Sequence, residues 1–152
     1  MLSRNARKFP HGNKATLKRE QVMNETSIKN TVLIVDHYSV GQRIALMQLS
    51  YFGLSAQVVT SCFQAMLALK HQHYPLVLIG WGRADCNGAN CIEFIRRLDA
   101  RRSTETTIVA VTAHSRFGDK ERCVAAGMND LLCKPITMEH MQQMINRHLK
   151  AA

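Results

Sequence analysis

The chain has little of what marks a membrane, secreted or metal-stapled protein. No apolar stretch approaches the roughly 18 residues that a bilayer-spanning helix needs. The opening residues lack the apolar segment of a secretory signal, so the expected compartment is the cytoplasm. The five cysteines (Cys62, Cys86, Cys91, Cys123 and Cys133) are odd in number and contain no C-x-x-C pair. They read as thiols of an intracellular chain, not as a disulfide framework or a zinc site. No helix-turn-helix or other nucleic-acid reader motif is present. Acidic residues are few, with 11 Asp and Glu against 20 Lys and Arg.

What is present fits one domain of 152 residues, long enough for a real core. The net charge of +9 is uneven. Residues 1–30 hold seven basic and two acidic side chains and so carry +5, leaving +4 for the rest. That segment reads as a basic tail or linker remnant, and residues 31–150 as the domain. Such a tail attracts polyanions. Its charges form no dense block, however, and only Phe9 interleaves with them. Nucleic acid is therefore not the expected partner.

From Thr31 the periodicity is regular. Thr31–Val35 is a short β-branched run. Ser39 is placed to cap a helix in which Val40, Ile44, Met47 and Tyr51 recur at helical spacing, with Gly53 beyond its end. Ala56–Thr60 predicts a second strand, and Ser61 caps a helix to about Lys70. Leu76–Ile79 is continuously apolar, as suits the buried middle of a parallel sheet. A loop with Gly82, Asp85 and Gly88 follows, then a helix with Ile92, Ile95 and Leu98 on one side. Thr107–Val111, a helix over Asp119–Ala126 ended by Gly127, and a strand over Asp130–Cys133 come next. Thr137 caps a last helix, with Met138, Met141, Ile145 and Leu149 inward. That helix runs almost to Ala152, so no output domain is expected after it.

Five strands alternating with five helices predict βαβ units, hence an α/β fold with a doubly wound parallel sheet. Ligands of such sheets bind beyond the carboxyl ends of the strands, where strand order reverses. That rule alone selects Asp36 and His37 after the first strand, Gly80 after the third, Thr112 after the fourth and Lys134 after the fifth.

These positions carry a resemblance. TVLIVDH, YPLVLIGWGRADCNG, IVAVTAHS and DKERCVAAGMNDLLCKPI, in that order and spacing, resemble the receiver domain of bacterial two-component response regulators and hybrid sensor kinases, a flavodoxin-like (βα)5 fold with a five-stranded parallel sheet. In that family an acidic turn and an aspartate cage Mg²⁺ while the aspartate accepts a phosphoryl group. A hydroxyl residue and a lysine then hold its oxygens. The resemblance matches Asp36, Thr112 and Lys134 to family positions. It sets His37 where a second acidic ligand is expected, Gly80 where the phosphoacceptor is expected, and Leu131 at the switch aromatic.

The resemblance therefore implies a non-phosphorylatable pseudo-receiver and not an enzyme. It implies weak or absent Mg²⁺ binding, and no other cofactor. Its partners would be a histidine kinase, a phosphotransfer domain or another regulator, met through the first helix or through the face from the fourth strand to the fifth helix. Asp36 is expected to pair with Lys134. Three alternatives stand beside this reading: phosphorylation at Asp36 or Asp85, a metal site of Asp36, His37 and His114, and a polyanion-binding tail. Trp81 is expected to be exposed at the crevice.

Overall fold

The computed structural model describes residues 32–81, 88–113 and 118–149. The tail, Thr31, Asp85, Cys86 and His114 lie outside them. Strands β1 (Val32–Val35), β2 (Ala56–Val59), β3 (Leu76–Gly80), β4 (Thr107–Thr112) and β5 (Asp130–Cys133) form one parallel sheet in the order β2-β1-β3-β4-β5. Helices α1 (Ser39–Tyr51), α2 (Cys62–His71), α3 (Gly88–Arg102), α4 (Asp119–Ala125) and α5 (Met138–His148) alternate with them. Among the described residues no helix is long and apolar enough to cross a membrane.

The central strands β1 and β3 are continuously apolar because both of their faces are covered. Alternate residues feed opposite cores. Leu33, Val35, Val77, Ile79, Ile108 and Ala110 pack with Ala65 and Leu69 of α2 and Ile92 and Ile95 of α3. Their neighbours Val32, Ile34, Leu76, Leu78, Val109 and Val111 pack with Ala45 and Leu49 of α1 and Met141 and Met144 of α5. Leu33, Leu76 and Ile79 are fully buried. Truncating such a residue to alanine costs about 2–5 kcal/mol through lost burial and the cavity left behind.

The local signals account for most boundaries. Ser61 Oγ accepts the Gln64 amide at the start of α2, and Thr137 Oγ1 accepts the His140 amide at the start of α5. Gly53 and Gly127, just beyond helix ends, have φ of +77° and +101°, a region that disfavours any side chain. Strands β3 and β4 each run one residue past the expected end, because Gly80 pairs with Val111 and Thr112 with Cys133.

Three expectations are corrected. Ser39 does not cap α1. Tyr38 holds the cap position without a capping bond from its side chain, and the Tyr38 amide donates to Asp36 Oδ1 at 2.9 Å. The stripe Val40, Ile44, Met47 and Tyr51 faces outward, with Val40 and Met47 each 68% and Tyr51 76% exposed. The inward set is Ala45, Gln48 and Leu49, displaced by one residue, or about 100° around the helix. The buried Gln48 donates its side-chain amide to the Ile136 carbonyl at 2.6 Å, while its Oε1 finds no hydrogen-bond partner among the described residues. In α5, Met138 is exposed and Met144 takes its place inside.

Candidate functional site: the crevice at the strand ends

The carboxyl ends of β1, β3 and β5 converge on one small cavity of about 20 Å³, roughly the space of a single water. Asp36, Gly41, Gly80 and Lys134 bring their polar or bare surfaces to it, and Ile34, Leu78, Val111 and Ile136 supply apolar wall. Three of the expected site residues, Asp36, Gly80 and Lys134, thus meet in space. Thr112 is buried beside them in the adjoining strand, and its carbonyl accepts the Lys134 amide at 2.7 Å. His37 is exposed outside the cavity, edge-on to the Tyr38 ring.

Lys134 Nζ donates to Asp36 Oδ2 at 3.4 Å, with the carboxylate side chain 14% and the lysine 34% exposed. The expected pairing is therefore present. Both Asp36 oxygens are engaged, since Oδ1 takes the Tyr38 amide. The Asp36 carbonyl also accepts from Nε2 of the Gln42 side chain at 2.6 Å. The Lys134 ammonium stands 5.8 Å from the centre of the Tyr38 ring, within cation–π range. The Lys134–Pro135 peptide is cis.

Two residues that sequence reasoning missed shape this pair. A Cβ on Gly41 would lie 2.5 Å from Asp36 Oδ2 and 3.2 Å from Lys134 Nζ. A bare backbone in the first turn of α1 is what lets the pair close. The usable signal was a glycine inside a helical pattern, which costs helix stability and so asks for a packing reason. Tyr38 carried no such signal, because its contact with Lys134 joins distant parts of the chain.

Gly80 differs from Gly41. A Cβ there would meet only the Val35 carbonyl, at an ordinary 3.6 Å. No crowding requires glycine at this position. Leu131, half-buried, packs against the core shared by α2 and α3 as an ordinary apolar residue. Trp81 also packs against that core and is half-buried, which corrects the exposed position expected for it. Its amide is held by the Val111 carbonyl at 2.9 Å, so the chain leaves β3 still along the sheet.

Among the described residues, Asp36 is the one carboxylate on the cavity wall. Among the described residues no three His, Cys, Asp or Glu side chains lie close enough to share a metal ion. The further members of the alternative sites, Asp85 and His114, fall outside the described residues.

Comparison with known proteins agrees with this architecture. Residues 32–146 match the response regulator receiver domain family. The chain is 30% identical over 127 residues to the signal transduction histidine-protein kinase BarA of Shigella flexneri, covering 84% of this chain and 14% of that protein. It is 34% identical to the virulence sensor protein BvgS of Bordetella bronchiseptica, covering 76% of this chain and 10% of that protein. It therefore corresponds to a small part of either relative. Among solved structures, the receiver domain of sensor histidine kinase PA1611 from Pseudomonas aeruginosa PAO1, with a magnesium ion coordinated in its active-site cleft, superposes with a TM-score of 0.68. That match has 28% identity and covers 80% of this chain and 98% of that one. The receiver domain of Saccharomyces cerevisiae Ssk1, crystallised with the histidine phosphotransfer protein Ypd1, shares the fold with a TM-score of 0.69. Its identity is 22%, covering 78% of this chain and 87% of that one. The family match covers most of the chain and the solved structures share its fold, and the chain belongs to the response regulator receiver domain family of two-component and phosphorelay signalling.

Proposed function

We propose that this receiver domain works without accepting phosphate, as a docking module for the phosphotransfer domain of a histidine-kinase relay. The observation that carries the reading is the composition of the crevice. Gly80 offers no oxygen nucleophile where the family places its phosphoacceptor, and the remaining carboxylate is bound by Lys134 and the Tyr38 amide. Asp36 is a poor substitute acceptor for the same reason: attack on phosphorus needs a free carboxylate oxygen aimed at the donor. The module is thus a binding protein and not a self-phosphorylating enzyme.

The donor set does not fit Mg²⁺. That ion demands near-octahedral oxygen coordination. Here one carboxylate is tied to a lysine, and the position of the second acidic ligand holds His37, whose imidazole suits softer metals. Thr112 and Lys134 persist at the family's phosphate-holding positions, which supports descent from a working receiver.

The outward stripe of α1 supplies a docking face. It starts at Tyr38, whose ring borders Lys134, and continues through Val40, Met47 and Tyr51. It thus leads directly from the crevice. A partner that presents a phosphorylatable histidine to a receiver must approach at this point. The relatives that are histidine kinases, and the Ssk1 receiver crystallised with a phosphotransfer protein, support that class of partner.

The test is to incubate the full chain with a small phosphodonor and Mg²⁺, weigh it, and titrate it with a phosphotransfer domain. Unchanged mass with retained binding is expected. A gain of one phosphoryl group, on Asp36 or Asp85, would overturn the reading.

A further inference from the structure

Helix α2 turns two large apolar side chains to solvent. Phe63 is 67% and Leu67 44% exposed, and at a spacing of four residues they share one side of the helix. Met66 of α2 with Phe94 and Leu98 of α3, all half-buried, packs against the core below the two helices. The helices are tied at their ends. Arg102 of α3 donates to the Leu69 carbonyl at 2.8 Å and to the Lys70 carbonyl at 2.9 Å. These bonds fix the seam between α2 and α3 and bring Lys70 to the end of α3, where Arg101 and Arg102 stand.

Charge at this seam is one-sided. Helix α2 holds no acidic residue. Both carboxylates of α3 are engaged: Glu93 binds Arg97 at 2.6 Å, and Asp99 is buried with Arg96, Thr104 and Thr106. Exposed Lys70, Arg101 and Arg102 outnumber the exposed Glu105 beyond the helix end. Cations at helix C-termini also offset the helix dipole, but Arg102 alone already answers two of the last α2 carbonyls. Lys70 and Arg101 form no ion pair among the described residues.

We propose that the α2–α3 seam docks an amphipathic helix of a partner protein, apolar on one side and acidic at its rim. Phe63 and Leu67 meet the apolar side, and Lys70 and Arg101 pair with the carboxylates. The sign of the charge selects this occupant. The first 30 residues are basic, and the same seam on a second copy brings the same cations. Either would leave Lys70 and Arg101 unmatched. The proposal is independent of the reading of the crevice.

The test uses the full chain, ¹⁵N-labelled, and a peptide of about 18 residues, long enough to form a helix. The peptide carries leucine at alternating spacings of three and four, with alanine and glutamate between. Amide shifts are expected at Phe63, Leu67, Lys70 and Arg101. Binding should weaken with added salt, and by about tenfold when lysine replaces glutamate in the peptide, a change that leaves the protein untouched. Phe63→Ser should weaken binding by about tenfold. Lys70→Glu with Arg101→Glu should reverse the preference, so that the lysine peptide binds better. Absence of shifts, shifts confined to α1, α5 or residues 1–31, or equal binding of the glutamate and lysine peptides would overturn the proposal. So would self-association of the chain that Phe63→Ser abolishes, which would assign the seam to a second copy.

Discussion

Lys134 and Asp36 are joined across 98 positions of chain by a 3.4 Å ion pair, and the bare backbone of Gly41 leaves the space in which it forms. A partly screened pair of this kind contributes on the order of 1 kcal/mol, and it uses the carboxylate that a metal would need. Millimolar Mg²⁺ is therefore expected to move the melting temperature by less than about 1 °C, because only ligands that bind the native state raise stability. A dose-dependent rise in a thermal melt would contradict the proposed loss of metal binding.

Restoring the acceptor alone should not restore chemistry. Gly80→Asp is sterically permitted, since its Cβ meets only the Val35 carbonyl at 3.6 Å. The new carboxylate would face Asp36, however, and like charges about 4 Å apart repel by roughly 4 kcal/mol at an effective dielectric of 20. The single variant is expected to melt lower and to gain no phosphoryl mass from a small donor. Gly80→Asp with His37→Asp is expected to gain it, in a Mg²⁺-dependent way. Intact-mass measurement separates these outcomes, and labelling of the single variant would count against the argument.

The outer face of α1 should matter for binding and little for folding. Replacing Val40, Met47 and Tyr51 by serine is expected to change stability by less than about 0.5 kcal/mol each, as for exposed sites generally. Affinity for a phosphotransfer domain should fall by more than about 1 kcal/mol for at least one of the three. Calorimetric titration beside a denaturant melt reads both quantities. Unchanged affinity in all three variants would remove α1 as the docking face.

A second set of bonds lies at the opposite end of the sheet. Arg96 of α3 donates to the Gly127 carbonyl, to the Thr106 carbonyl at 2.7 Å, to Asn129 Oδ1 at 2.8 Å and to Asp99 at 3.1 Å. Asp99 is buried and also holds the Thr104 and Thr106 hydroxyls and the Thr106 amide. Arg96→Ala is expected to destabilise by about 3 kcal/mol, since it leaves a buried carboxylate without its cation. A loss below about 1 kcal/mol in chemical denaturation would show the network to be redundant.

Acid should weaken the fold in two stages. Burial pushes the His73 imidazole below its usual value, against the opposing pull of Asp99. The unfolded chain then takes up that proton first, and stability begins to fall as pH drops through about 6.5. Burial alone would raise Asp99 and Asp130. Hydrogen bonds from Thr106, Thr104 and Arg96 outweigh it at Asp99, and those from His148, the Leu131 amide and Arg147 do so at Asp130, so both are depressed. Their stabilisation is full above the unfolded value of about 3.9 and is lost as pH falls through the lower folded values. Melting temperature against pH should show both stages, and His73→Gln should remove the upper one alone.

The fold was legible wherever the signal was local. The run Leu76–Ile79 announced a central strand, and Ser61 and Thr137 announced helix starts. The rule that ligands sit beyond strand ends selects Asp36, Gly80 and Lys134 from the sequence, and the three line one cavity. What stayed hidden depends on partners far along the chain. The buried Gln48 gives its amide to Ile136, 88 positions away, and the inner face of α1 is not its most apolar stripe. Gly41 lies inside a helical pattern, and its reason is Lys134, 93 positions away, whose ammonium a Cβ there would approach to 3.2 Å. The bonds of Arg96 to Thr106, Gly127 and Asn129 lie 10 to 33 positions away, beyond any periodicity.

The position of that arginine bears on how the chain tolerates change. Arg96 fastens the segments entering β4 and β5, whereas Asp36, Gly80 and Lys134 stand where strands leave the sheet. The domain has a tethered pole and a permissive pole. Residues can be exchanged at the permissive one without drawing on the bonds that secure the other, so the architecture outlasts whichever chemistry its crevice holds.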